Sequence, residues 1–399
     1  MSGGGLPLEG LRVLEFSHMV MGPACGLILA DMGAEVIKIE GVEGDATRHL
    51  TGSGAGYWPT YNRNKSSLAV DLKSPEGLTA AQRLAAHADV LIENFRPGTL
   101  DRLGLGYARL AQDNPRLIYC SLKGFLPGPY ESRTALDEVV QMMGGLAYMT
   151  GPPGRPLRAG ASVNDVMGGM FGVIAILAAV NERHRTGRGQ LVQSGLFENN
   201  VFLVAQHMLQ GAVTGVPAAP MPTRLSAWAI YDIFEVMNDE RVFVGAVSDS
   251  QWQAFCQAFG MQSFASDPNL ATNNQRVHAR DQFMPFVRER FMRLSKQEVM
   301  RRCEAAGLPF APIARPQDLF DDPHLTASEG FTDITLANGQ TAVVPRLPIR
   351  MDGRRFATRG DVPETGQHSA AVLAQLGYSA EDIAALVAQG VVRLGPRAA

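Results

Sequence analysis

The chain has 399 residues, is 46% hydrophobic and 19% charged, and carries a formal net charge of -3. That length supports two or three domains with large cores, the composition excludes a disordered or fibrous chain, and the charge balance gives no electrostatic basis for binding nucleic acid. Four cysteines without CxxC spacing and eight histidines without HExxH or H-x-H spacing speak against a disulfide framework or a metal site and fit a reducing compartment. The glycine run Gly3–Gly5 follows Met1 without the basic and apolar regions of a signal peptide, so a cytoplasmic protein is expected.

In chain order, Arg12–Phe16 reads as a strand, Gly22-Pro23 as a turn, Ala24–Met32 as a small-residue helix ended by Gly33, and Glu35–Ile39 as a second strand. This is a βαβ unit with parallel strands. Leu68–Val70 is the next strand, followed by a helix that Ser74 caps with Pro75 in its first position. Val90–Ile92 and Leu117–Cys120 continue the alternation, which defines a doubly wound α/β sheet. The apolar run Val166–Val180 is bounded by Asp165 and by Asn181-Glu182. It is short of the roughly 20 residues that span a bilayer, so a buried core helix is expected and no membrane association.

The character changes near Arg224. Ala229–Glu235 and Arg241–Val247 form a hairpin turned at Asn238-Asp239, and helices follow over Ser250–Phe259 and Arg280–Ala306, giving a smaller α+β domain. The expected division is 1–223, 224–325 and 326–399, the last holding a Pro/Gly/Arg-rich connector, Pro345–Pro363, and a closing helix Ala380–Ala388 with Ser379 as N-cap.

Chemistry concentrates in a few places. The first βα turn, His18–Pro23, lies where α/β proteins bind phosphates at a helix N-terminus, although Pro23 breaks the G-x-G-x-x-G pattern of a nicotinamide site. Asp165 opens the apolar helix beside Gly168-Gly169. As a helix cap it is ordinary; as a desolvated carboxylate against a glycine-lined approach it suits a nucleophile. Arg102 and Lys123, near strand ends, can be solvated tips or phosphate ligands.

Leu8–Leu14, Gly22-Pro23, Met32–Glu40, Gly44-Asp45, Asn64–Ser66, Asp71–Lys73, Glu93–Gly98, Leu122–Gly124, Thr186–Gln190, Gly307–Pro309 and Leu376–Ser379 together resemble the class III CoA transferases, the group of the formyl-CoA:oxalate and carnitine CoA transferases. The resemblance spans essentially the whole chain. It implies a Rossmann-like large domain built from N- and C-terminal segments, a smaller α+β domain, and an interlocked homodimer, with Gly211–Pro222 and Pro345–Pro363 as the crossings. It places the catalytic aspartate at Asp165 and the CoA contacts at His18, Val20, Met21, Leu72, Lys73, Asn94, Phe95, Arg96, Arg102, Lys123 and Phe125. CoA would act as a substrate, and no permanently bound cofactor or metal is implied. Asp165 would attack the acyl-CoA thioester and pass through an aspartyl anhydride and an aspartyl-CoA thioester.

The departures from the oxalate branch are Val20, Gly41 and Phe125, where that branch has glutamine, arginine and tyrosine. The alternative within the superfamily is an acyl-CoA racemase. That activity needs a His-Asp pair where this chain has Leu136-Asp137. Arg48, Arg133, Arg158 and Arg224 are among the arginines that lie outside the CoA positions. Of these, Arg48 and Arg158 are the candidates to bind a second carboxylate of the acid. Methionines 142, 143, 149, 167 and 170 offer an adaptable apolar wall. The expected substrates are acyl-CoA and C4–C5 dicarboxylic acids such as succinate, mesaconate, itaconate or citramalate.

Overall fold

A computed structural model describes residues 5–395. These divide into two compact units, one made of the segments up to Pro222 and from His324 onward, the other of Thr223–Pro323.

The sheet of the first unit has six parallel strands: β1 (Arg12–Phe16), β2 (Glu35–Glu40), β3 (Lys65–Val70), β4 (Val90–Glu93), β5 (Ile118–Lys123) and β6 (Leu191–Gly195). They lie in the order β3-β2-β1-β4-β5-β6, and the short terminal strand Val392–Arg393 pairs antiparallel with the outer edge of β3. The order reverses between β1 and β4, the switch point where sheets of this kind bind ligands beyond their carboxyl ends.

The apolar runs of the strands are buried on both faces, as a covered parallel sheet requires. One face packs Leu14, Ile37, Leu68 and Leu91 against Ala81 and Leu84 of the helix Pro75–Ala86 and against Val372, Leu373, Ile383 and Leu386 of the C-terminal segment. The opposite face packs Val13, Val36, Ile92 and Cys120 against Cys25 and Leu29 of helix α1 (Met21–Asp31) and against Val140, Val173 and Ile176. Val140 belongs to helix α2 (Asp137–Met143), and Val173 and Ile176 to helix α3 (Val163–Thr186).

Helix α3 is the long apolar helix of the sequence, and it is buried on one side only. Gly168, Gly169, Gly172, Val173, Ile176 and Ala179 are buried, while Met170 and Ile174 stay 49% and 58% exposed. A Cβ at Gly169 would stand 2.8 Å from the Met21 carbonyl oxygen and 3.0 Å from the Cys25 nitrogen. The close approach of α3 to α1 therefore depends on that residue having no side chain. Helix α4 (Leu196–Thr214) lies against α2 and α3 and exposes Phe202, Leu209 and Val213.

The unit Thr223–Pro323 holds a three-stranded antiparallel sheet, Ile230–Glu235, Arg241–Ala246 and Phe310–Pro312. Its aromatic core includes Phe234, Trp252, Phe255, Phe259, Phe283 and Phe291. Asn238 and Asp239 turn the hairpin in left-handed conformations (φ 64° and 58°). The helix expected over Arg280–Ala306 is two helices, Arg280–Met292 and Lys296–Ala305, because the Ser295 side chain caps the second. The connector after Pro345 carries a short hairpin, Arg350–Met351 with Arg354–Arg355.

Candidate active site

The site grows out of the turn between β1 and α1. Met19 holds a left-handed backbone (φ 63°), which is uncommon for a side chain of this size. The turn is pinned on three sides. The Asn94 side chain clamps His18, accepting from its backbone N–H at 3.0 Å and donating to its carbonyl at 2.9 Å. Thr47 Oγ1 accepts from Met19 N–H at 3.0 Å, and Lys38 Nζ donates to the Ser17 carbonyl at 2.7 Å.

Lys38 is fully buried and lies 3.3 Å from Glu15 and 3.1 Å from Asp45; Glu15 in turn meets Lys65 at 2.7 Å. Burial pushes the Lys65 ammonium down to about 8, against the opposing pull of Glu15. Charges this deep are tolerable only when paired, and this chain of them crosses three strands directly beneath the turn.

Asp165 sits in the first turn of α3, and it does not cap the helix. Ser162 occupies the N-cap without a side-chain bond. The capping is done from outside by the buried Asp137 carboxylate, which accepts from the N–H groups of Asn164 (2.7 Å) and Asp165 (3.0 Å). Gln141, one helical turn along α2, donates to the other Asp137 oxygen and accepts from Ala159 N–H at 2.8 Å. Two adjacent segments are thereby tied together: the start of the Asp165 helix and the loop that carries Arg158.

With its cap provided by another residue, the Asp165 carboxylate has no hydrogen-bond partner among the described residues. Burial and the neighbouring Asp137 charge push it up to about 7, with Arg158 pulling the other way. A carboxylate desolvated in this way is a better nucleophile than one in water.

Asp165 lines a cavity of about 280 Å³ together with His18, Val20, Met21, Tyr57, Asn94, Lys123, Leu136, Asp137, Glu138 and Arg158. A larger groove of about 770 Å³ shares His18 and Met19 with it and is lined further by Leu72, Lys73, Phe95 and Arg102. The His18 and Phe95 rings stack at 5.4 Å. An elongated ligand can thus run from the cations Lys73 and Arg102 past the turn to Asp165.

The remaining expected contacts differ in what their side chains can reach. Arg96 is exposed and lines neither cavity. Phe125 is 2% exposed and packs on Phe197 and Tyr130, so its ring serves the core. Lys123 borders the smaller cavity, yet its ammonium is engaged by Glu93 at 2.6 Å and the Phe95 carbonyl at 2.6 Å; it braces the 93–95 turn. Val20 and Met21 are 1% and 4% exposed and can offer little beyond backbone.

Arg48, the other arginine expected to bind the acid, is engaged by other groups. Its guanidinium donates twice to Glu40 (3.0 and 2.6 Å) and once to the Pro363 carbonyl (2.8 Å), and it lies 3.6 Å over the Trp58 ring. It lines a separate cavity, away from Asp165. The methionine wall also fails to form: Met142, Met143 and Met170 are exposed and Met149 is buried, and none lines the Asp165 cavity. Its apolar lining comes from Val20, Met21, Leu122, Leu136 and Leu196.

Asp137, Gln141 and Glu138 were not among the sequence candidates. The i, i+4 spacing of Asp137 and Gln141 hints at a pair on one helix face, but nothing local says that the pair reaches a helix 28 residues on. Leu136, where a racemase needs a histidine, faces the cavity with no group able to move a proton.

A desolvated carboxylate at the switch point of a doubly wound sheet, with a long groove leading to it, suits an enzyme that takes a group from a large carrier onto itself. Residues 8–369 match the model of CoA-transferase family III. The chain is 34% identical to the succinate–glutarate CoA-transferase of Agrobacterium fabrum, over 93% of this chain and 96% of that protein. It is 33% identical to the succinyl-CoA–D-citramalate CoA-transferase of Chloroflexus aurantiacus, over 97% and 98%. A solved CAIB/BAIF family protein from Brucella suis superposes with a TM-score of 0.82 at 33% identity, covering 94% of this chain and all of that one. The chain belongs to CoA-transferase family III and is a CoA-transferase.

Proposed function

We propose that this enzyme moves CoA between C4–C5 dicarboxylic acids, with Asp165 as the covalent relay. The observation that carries the reading is the state of Asp165: freed from capping by Asp137, pushed up to about 7, and placed in one cavity with Arg158. The relatives named for succinate and glutarate and for succinyl-CoA and citramalate support the same acid class.

The donor thioester lies in the groove, its phosphates near Lys73 and Arg102. The Asp165 carboxylate attacks the thioester carbonyl, forming an acyl-aspartyl anhydride and releasing CoA thiolate. The thiolate attacks the aspartyl carbonyl, giving an aspartyl-CoA thioester and the free donor acid. The acceptor carboxylate then repeats these steps in reverse, and the thioester bond energy is conserved at each stage. Arg158 holds the distal carboxylate of the acid, which a monocarboxylate lacks.

Mass spectrometry tests the relay. After incubation with succinyl-CoA and trapping with hydroxylamine, a single adduct is expected on Asp165. Asp165→Ala should abolish transfer while retaining CoA binding, and a variant with near-normal turnover overturns the reading. The working form is proposed to be a cytoplasmic, interlocked homodimer, and the exposed apolar side chains of α3 and α4 support association between chains.

A further inference from the structure

Arg158 and Glu138 both line the Asp165 cavity, and they hold each other: Arg158 Nη1 donates to Glu138 Oε1. Arg158 Nε is fixed on the Ala159 carbonyl at 3.0 Å, and Nη2 has no hydrogen-bond partner among the described residues. Neither side chain is deeply buried, at 37% and 57% exposure. Glu138 stands in the first turn of α2, directly after the buried Asp137, and its other oxygen has no hydrogen-bond partner among the described residues.

An exposed pair of this kind contributes little to stability, so holding the fold together is a poor reason for it. It does place a carboxylate where a diacid would put one. We infer that Glu138 is an internal stand-in for the substrate: its carboxylate occupies Arg158 between turnovers, and the distal carboxylate of the incoming diacid displaces it. This rests on the reading that a small acid enters the Asp165 cavity.

The exchange replaces one arginine–carboxylate contact by another, so displacement is nearly balanced, and the diacid gains further because it can engage Nη2 as well. A monocarboxylate brings nothing to Arg158 and leaves the pair closed. Glu138 thus sets the threshold that an acid must pass, and it keeps the guanidinium from turning onto Asp165.

The test is titration calorimetry of glutarate and butyrate into the full-length enzyme with CoA bound. Glu138→Gln and Glu138→Ala should each bind glutarate roughly 3- to 10-fold tighter with butyrate unchanged, as expected when a competing charge is removed. Arg158→Met should weaken glutarate by about 30-fold or more, and adding Glu138→Gln to it should change nothing. The inference is overturned if glutarate does not bind the wild type, if the Glu138 variants leave its affinity unchanged or weaker, or if butyrate shifts equally. Formation of glutaryl-CoA from succinyl-CoA by the wild type, measured separately, judges the transferase reading whatever the Glu138 variants do.

Discussion

Asp165 and Asp137 are two carboxylates with opposite duties, set by what surrounds them. Asp137 receives two backbone N–H groups and a Gln141 donor; Asp165 receives none and is held up to about 7. In the proposed relay the attacking form is the carboxylate, so kcat/KM for the acyl-CoA should fall with one-proton slope as pH drops through about 7. Asp137→Asn removes the like charge and should move that limb down by about 1 unit, whereas Arg158→Met should move it up. Stability carries the same signature with a definite sign. The folded state holds a proton on Asp165 that the unfolded chain has released above its ordinary value of 3.8, so stability falls as pH rises from there to about 7 and is then level. Asp165→Asn should therefore stabilise the protein by roughly 1–3 kcal/mol above pH 7 and progressively less toward pH 4, read from urea midpoints. A variant less stable than wild type at pH 8 would count against a nucleophile kept at a stability cost. At this scale the family resemblance names Asp165, His18, Lys73, Asn94 and Arg102, and the structure lines one cavity with Asp165, His18 and Asn94 and the adjoining groove with Lys73 and Arg102. The sequence could not show that Arg48 is consumed by Glu40, since that depends on a carbonyl at Pro363, nor that Asp137 caps a distant helix.

Among the elements, α3 decides whether Asp165 reaches the turn at His18. Its glycine face lets it lie on the first turn of α1, and at Gly169 the obstacle to a methyl group is backbone, which cannot swing aside. Gly169→Ala should cost about 1–3 kcal/mol in urea unfolding and lower kcat more than it raises KM for acyl-CoA, because the proposed nucleophile moves while the groove at Leu72–Lys73 does not. Unchanged kcat would mean that α3 has slack. Elements with strong local punctuation were legible: the closing helix Ala380–Ala388 with its Ser379 cap, the Ser74-Pro75 start, and the strand at Arg12–Phe16. The strand Leu191–Gly195 was missed, being a short edge strand with weak apolar alternation. The apolar run of α3 predicts a buried core helix, yet Met170 and Ile174 are exposed, because composition alone cannot tell a core position from an exposed apolar one.

For the molecule as a whole, the exposed apolar side chains of three packed helices matter most. Met142 and Met143 of α2, Met170 and Ile174 of α3, and Phe202, Leu209 and Val213 of α4 are exposed on helices that pack together. Exposure of this kind is what the proposed association between chains would cover. Light scattering should find a dimer that persists on dilution to nanomolar concentration, and a stable folded monomer would contradict the interlocked assembly. Phe202→Glu, placing a charge on that face, should yield misfolded or aggregated protein rather than a clean monomer, since threaded chains are expected to fold together.

The way the C-terminal segment closes the large sheet has a consequence for synthesis. Strand β3 is complete early, but its edge is covered only when Val392–Arg393 pairs with it. Gly366 N–H bonds Ser67 Oγ at 2.8 Å and Ser369 Oγ accepts from Ala69 N–H at 3.1 Å. Until some 300 further residues have left the ribosome, the nascent chain carries a bare parallel edge and an uncovered apolar layer at Leu68 and Val70, features that favour aggregation. A stalled chain ending near residue 340 should therefore remain protease-sensitive across its first sheet and bound to chaperones, however complete its early βαβ units are.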